Sequence, residues 1–457
     1  MKRLTIYSIL AVLALGCIFS CNVYRKYPNT TTVDNELFGK DYLPADTTSI
    51  ACLSWRELFT DTYLQKLVDS ALARNTDLRT ARLRTEQAEA VLLNARLSYL
   101  PSLGLAADGT LSKLGESTSK TYSLGGSASW EIDLFGKITN AKRGAREALE
   151  ASKAYELAVR TNIVSTVAKG YYTLLMLDEQ LRISRATLDS WDKSVRTLEA
   201  LKRAGGGVTD AAVLQAKANR MSLESSVLSV EKSIKETENM LCTLLAMPSA
   251  TIARGVLSEQ QFPAELSAGV PVQMLANRPD VQMAEHKLAQ SFYATNAARG
   301  AFYPSINLSG RAGWTNNGGE VELNPAKWLL NAIGSLTQPL FNRGANIANL
   351  KVAKAEQEAA SLAFGQSLLN AGAEVNNALT ALQTSRRKLQ IDGEQAELLQ
   401  EAVRKTELLM RHSSVNYLEV LTAQQTLLAA QQAVAQDRFD EIDSIISLYH
   451  ALGGGVK

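Results

Sequence analysis

The chain is poor in the residues that build reactive sites. Its 457 residues hold four cysteines and three histidines. His286, His412 and His450 lie far apart, and none has a Cys or His partner at ligand spacing, so no resident metal is expected. The methionines do not cluster. No Gly-rich loop follows a strand pattern, and Gly205-Gly206-Gly207 lacks the Lys-Ser/Thr of a P-loop. No nucleophile stands beside a base. Neither an enzyme nor a cofactor is expected. Charge of one sign is missing too: 48 Lys and Arg against 46 Asp and Glu leave a net of +2. That is not the basic face of a nucleic-acid binder. After residue 22 no apolar run reaches about 18 residues, so the mature chain is expected to have no transmembrane helix.

What is present begins with a targeting pattern. Lys2 and Arg3 precede an uncharged run from Leu4 through Asn22, which reads as an export signal over residues 1–20. Ile18-Phe19-Ser20-Cys21 has the aliphatic and small residues of a lipobox, making Cys21 the candidate lipidated residue. Gly16-Cys17 is the rival, with Ala14 at the aliphatic position. Asn22, rather than Asp, would not retain a lipoprotein at the inner membrane under the enterobacterial sorting rule. The remaining mature cysteines are Cys52 and Cys242; export permits a disulfide between them. The apolar setting MLCTLLAM also fits Cys242 as a buried, inert thiol.

The mature sequence is written twice. Asp77 and Asp280 each stand 24 residues before a proline, Pro101 and Pro304. Ala95-Arg96 pairs with Ala298-Arg299 at the same offset. Leu134-Phe135-Gly136-Lys137 then matches Leu340-Phe341-Asn342-Arg343, and Val213-Leu214-Gln215-Ala216 matches Val420-Leu421-Thr422-Ala423. Such a duplication governs the rest of the reading. It divides the chain into a lipidated extended segment at 21–60, a first repeat at 61–247, a linker at 248–270 and a second repeat at 271–457.

Each repeat has the same parts. A helix runs from about Leu64 to Ser98, or from Pro279 to Phe302, and stops before Pro101 or Pro304, which cannot continue it. Alternation follows, with Leu103, Leu105 and Ala107 in one copy and Ile306, Leu308, Ala312 and Trp314 in the other, as in a strand with one apolar face. A polar loop at 115–122 or 315–322 leads to a second strand, at about 123–134 or 333–340. Apolar residues then recur every seven positions, at Val167, Leu174, Leu181, Leu188 and Val195, and at Val375, Leu382, Leu389, Ala396, Val403 and Met410. That is the mark of supercoiled helices. A helix from Ala141 to Ala204 would be roughly 95 Å long. It would turn back at Gly205, Gly206, Gly207 and Thr209; the second copy would turn at His412, Ser413, Ser414 and Asn416.

Two strands per copy give four per chain. Four cannot close a barrel, and an open edge cannot sit in lipid. Bacterial membrane barrels begin at about eight strands, so membrane strands here must be pooled between chains.

At this point the residues resemble a known family. Trp55, Leu58, Phe59, Asp61, Leu64, Leu67, Val68, Ala71, Leu72 and Asn75, then Arg278-Pro279-Asp280-Val281 with Ala284-Glu285 and Phe302-Tyr303-Pro304-Ser305-Ile306, are similar to the two signatures of TolC/OprM-like outer membrane efflux proteins. The ending Leu448-Tyr449-His450-Ala451-Leu452-Gly453-Gly454-Gly455 resembles that of the lipoprotein branch, with Val456 where Trp is frequent. The resemblance implies a homotrimer in the outer membrane. It implies one 12-stranded β-barrel continued by a long α-helical barrel in the periplasm. It further implies an adaptor and an inner-membrane RND-type pump as partners, and export of small molecules. By the same resemblance Glu419 stands at the first acidic position of the pore constriction and Thr422 at the second; Asp210 either adds negative charge near the same end or simply favours a helix N-terminus. Asn416-x-x-Glu419 is also capping-box spacing, which is compatible with a constriction role. Tyr99, Tyr303, Trp130 and Trp314 are candidates for interfacial belts; Tyr99 and Tyr303 also fit packing at a helix–strand junction, whereas Trp314, on the apolar phase, favours the belt. A periplasmic adaptor and a TolC-type duct for protein secretion are the alternatives.

Overall fold

The computed structural model describes residues 27–28, 53–115, 117–205, 207–262, 278–315, 328–411 and 417–455. The expected signal at 1–20 and most of 21–60 lie outside them, with Cys17, Cys21 and Cys52. The elements in order are α1 (Trp55–Leu58), α2 (Thr62–Arg74), α3 (Thr76–Leu97), β1 (Ser102–Leu114), β2 (Ser117–Ile132), α4 (Lys137–Arg203) and α5 (Asp210–Leu244). After a 3₁₀ turn at Leu257–Glu259 come α6 (Pro279–Gly300), β3 (Ser305–Thr315), β4 (Trp328–Thr337), α7 (Ala345–Arg411) and α8 (Tyr417–Ala451). The duplication shows in the lengths. Helices α3 and α6 have 22 residues each, α4 and α7 have 67, and α5 and α8 have 35.

Three expectations are corrected. The first helix is two helices. Asn75 ends α2, and its side-chain oxygen then accepts from the N–H groups of Asp77 (2.9 Å) and Leu78 (3.0 Å), starting α3. Its amide donates to Leu244 O at 3.0 Å, which holds the buried break in place. Secondly, β2 begins at Ser117 and not near 123. The polar residues expected in a loop extend the hairpin, with Ser112 opposite Ser119 and Leu111 opposite Lys120. A ladder satisfies backbone groups whatever the side chains. Thirdly, β4 begins at Trp328 rather than 333 and ends at Thr337 rather than 340.

The chain forms two compact units. The first (1–32, 83–154 and 282–367) holds one antiparallel sheet in the order β1-β2-β3-β4. Each helix-to-strand junction is pinned by side chains. In the first copy Trp130 Nε1 donates to Tyr99 O at 2.9 Å, and the Tyr99 hydroxyl meets Thr139 Oγ1 at 2.8 Å. Asp133 accepts from the N–H groups of Ile138 (3.0 Å) and Thr139 (2.7 Å), opening α4 with the carboxylate that a helix N-terminus favours. In the second, Tyr303 stacks on Phe135 with centroids 5.0 Å apart, and Gln338 Nε2 donates to Phe302 O at 3.0 Å. Both tyrosines pack at these junctions.

The second unit (33–82, 155–281 and 368–457) carries the main helical core, with Leu58, Phe59, Leu64, Tyr171, Tyr172, Leu174 and Leu241 nearly or fully buried. Asp61 caps α2 through Tyr63 N (2.8 Å) and also accepts from the Tyr171 hydroxyl (2.6 Å) and Gln260 Nε2 (3.0 Å). Burial, then the Asp61 bond, pushes the Tyr171 hydroxyl far above its ordinary value, so it stays protonated as a donor. Described residues of the linker are part of this core: Arg254 donates to Glu238 Oε1 at 2.8 Å and to Asp178 Oδ1 at 2.9 Å. Cys242 is buried, with Sγ 3.5 Å from Ala250 O. Arg278, with a side chain only 4% exposed, grips Asp280 with two hydrogen bonds (3.0 and 2.8 Å). It also reaches Glu374 (2.6 Å) and the Ala451 carbonyl (2.8 Å) at the end of α8.

Candidate functional site

The sheet has two chemically distinct faces, and register determines them. Leu103 pairs with Ala128, Leu105 with Gly126, Ala107 with Leu124, Trp130 with Leu308, and Ala312 with Leu330. These residues share one face. Leu103, Leu105 and Leu330 are each more than four-fifths exposed on it. Trp314, opposite Leu124 and Trp328, is on the same face. The opposite face carries Ser127, Ser129, Asn307, Ser309 and Arg311. On this polar face Arg311 Nη2 pairs with Asp108 and donates to Ser123 Oγ at 3.0 Å. Gly125 and Gly313 oppose one another on that face. A Cβ on Gly125 would come within 2.6 Å of the Ala312 carbonyl, so the strands approach where no side chain fits. One apolar face and one polar face is the alternation of a membrane barrel wall.

No helix among the described residues is long and apolar enough to cross a membrane. The long helices instead form hairpins with partly buried seven-residue seams. Val167, Leu174 and Val195 of α4, and Val375, Leu382 and Val403 of α7, are buried. At the hairpin ends Trp191, Val195 and Leu198 of α4 pack with Val213, Ala216 and Leu223 of α5 and Leu421 of α8; Val208 and Met410 join them. This cluster joins the end of the first hairpin to the facing ends of α7 and α8.

The first turn is built as the sequence predicts. Gly205 and Gly207 have φ of +77° and +72°, where a Cβ would be strained. Thr209 caps α5 by accepting from Ala212 N at 3.2 Å. Ion pairs hold α4 to α5 behind it: Lys202 with Asp210, Glu199 with Lys217 (2.6 Å), and Asp192 with Arg220. The Lys217 hydrogen bond holds the Glu199 carboxyl below its ordinary range. Asp210 therefore has a cationic partner beside it. Glu419 lies in the first turn of α8 and is exposed; Thr422 is also exposed, its hydroxyl donating to Leu418 O at 2.8 Å. Gly206, His412, Ser413, Ser414 and Asn416 lie outside the described residues. His286 meets Glu147 at 2.8 Å, and among the described residues no three His, Cys, Asp or Glu form a group that could hold a metal ion.

The family described as "Outer membrane efflux protein" matches residues 67–247 and 270–454. The chain belongs to this family. As an outer membrane efflux protein it resembles, at 31% identity over 405 residues, the "Cation efflux system protein CusC" of Escherichia coli O6:H1, with 88% of each chain covered. The "Probable outer membrane lipoprotein SilC" of Salmonella typhimurium is 29% identical, and the match spans 100% of this chain and 99% of SilC. Among solved structures the open-state MtrE outer membrane channel of Neisseria gonorrhoeae superposes with a TM-score of 0.85 at 29% identity, covering 95% of this chain and 98% of MtrE. The protein is thus an outer-membrane efflux channel of a tripartite system, and the adaptor alternative is not favoured. Sequence reasoning missed the Asp108–Arg311 pair and the Gly125–Gly313 approach. Both lie on the polar phase of the sheet, whereas the sequence pattern marks the apolar phase of β1 and β3.

Proposed function

We propose that three copies of this efflux protein close one barrel of twelve strands, continued by a periplasmic tube of six helical hairpins, as a passive exit duct. The open four-stranded sheet carries the reading. Its order leaves β1 and β4 as edges, and its outward face is apolar. Each unsatisfied backbone group at such an edge costs several kcal/mol in lipid, so a lone chain is excluded from the bilayer. Three chains pair every edge. Pro101 and Pro304 mark the two points per chain where periplasmic helix gives way to membrane strand.

Small toxic compounds, delivered by an RND-type pump through an adaptor, are the proposed cargo, with selection by pore width and lining charge. The hairpin turns, at Gly205–Thr209 and at His412, Ser413, Ser414 and Asn416, form the adaptor-docking tip. Glu419 supplies negative charge to the constriction there; Thr422 and the paired Asp210 make it less acidic than a double carboxylate ring. Cys21 carries a lipid anchor that adds about 0.8 kcal/mol per buried CH₂ to a protein the barrel already holds.

The deciding experiment is the mass of the protein extracted from outer-membrane fractions, by light scattering with detergent subtracted. Three chains are expected. A monomer, or a protein confined to the inner membrane, overturns the reading. Labelling with radioactive palmitate is expected for the wild type and lost in Cys21→Ser, while Cys17→Ser keeps it.

A further inference from the structure

The polar face of the sheet holds a charge pair that the barrel reading does not require. Among the described residues of the four strands, the charged side chains are Asp108, Lys113, Lys120, Glu131 and Arg311. Register puts Lys113 and Lys120 on the apolar phase, close to the β1–β2 turn. Glu131 is on the polar phase at the helix end of β2, bound to Lys137 at 2.9 Å. Asp108 and Arg311 occupy the middle of their strands on the polar phase.

Their geometry is specific. Asp108 lies opposite Ser123, whereas Arg311 lies opposite Ser127, so the side chain must cross β2 to reach Asp108. It passes on the side of Gly125, the residue between those two serines on that face. There is no Cβ to lift the guanidinium, and Ser123 Oγ bonds both partners, donating to Asp108 Oδ2 at 3.3 Å and accepting from Arg311 at 3.0 Å. The pair joins the first repeat to the second and cancels its own charge. It is only partly shielded: the Asp108 side chain is 59% exposed and that of Arg311 is 34% exposed.

Resting on the barrel reading, we propose that Asp108 and Arg311 form a charge-balancing selectivity element on the duct wall. Asp108 holds the Arg311 guanidinium flat across the floor of small residues. The duct at this height then presents neither a cationic nor an anionic ring, and solutes of either sign can leave. Removing one partner uncovers the other in every copy around the ring, and like charges repeated in a narrow conduit bias which ion passes.

The test uses the full-length protein in planar bilayers under a KCl gradient, reading the reversal potential. Asp108→Asn is expected to shift it toward chloride preference and Arg311→Gln toward potassium preference. The double variant D108N/R311Q is expected to return to the wild-type value, and Arg311→Lys, which keeps the charge, to stay near it. Assembly of each variant is checked by its mobility on unheated gels. Conducting single variants whose reversal potential matches wild type overturn the inference and leave the barrel standing. A wild-type protein that neither assembles nor conducts overturns the barrel reading and this inference with it. A stitching role alone would lower the stability of both single variants without moving their reversal potentials in opposite directions.

Discussion

Replacing Arg278 by Ala removes the buried cation that ties α6 to the end of α8. The cost can be assembled from its partners. The Ala451 carbonyl bond is buried, and leaving such an acceptor unpaired costs about 1–3 kcal/mol. Asp280 and Glu374 have side chains about half exposed, so each ion pair contributes at most about 1 kcal/mol. The expected total is about 2–4 kcal/mol. At about 2.1 cal/mol/K per residue, a unit of roughly 270 residues gains near 0.6 kcal/mol/K on unfolding, so its midpoint falls by about 4–7 °C. Circular dichroism at a fixed scan rate in detergent measures this. Arg278→Lys should recover only part of the loss, because an ammonium cannot present the same fork to three acceptors. An Arg278→Ala midpoint within about 1 °C of wild type would refute the reasoning.

Three further outcomes are expected. Burial alone would raise the Asp280 carboxyl, but the Arg278 hydrogen bonds and charge outweigh it and hold it below its ordinary value. The folded pKa being the lower one, this contribution is complete above the ordinary carboxylate range and is lost as pH falls through the lowered value. Acid unfolding of Arg278→Ala should therefore depend less on pH below about 4 than that of wild type. Gly313→Val should abolish the assembled species on unheated gels, since its Cβ would strike the Leu124 carbonyl and Gly125 backbone; Gly109→Ala, with open space at the same position, should assemble normally. Thr209→Ala should cost about 1 kcal/mol of cap, seen as faster amide exchange at Ala212 with the α2 amides unchanged.

The parts that announce themselves in the sequence are those decided locally or by repetition. The prolines at 101 and 304 cannot continue the helices that precede them, and the seven-residue rows at Val167 and Val375 fix which side of each long helix is buried. Repetition then checks one half against the other. What stayed hidden depends on partners far along the chain. Asn75 interrupts a pattern that reads as one helix, and a carbonyl 169 residues away holds it there. Ser117 to Lys120 look like loop because their side chains are polar, yet their backbone pairs with β1. The same holds at the candidate site. Gly205, Gly207 and Thr209 were legible from turn chemistry alone. The bond between Asp108 and Arg311 spans 203 positions and follows only from the register of three strands.

The unpaired rims of β1 and β4 also bear on inheritance. In the proposed ring of three chains, each chain supplies an edge to both neighbours, so one chain with a spoiled edge disables the ring it enters. In a cell making sound and spoiled chains together, the share of working ducts falls as the cube of the share of sound chains. Edge-strand alleles should therefore be dominant, whereas alleles that prevent a chain from folding at all should be recessive.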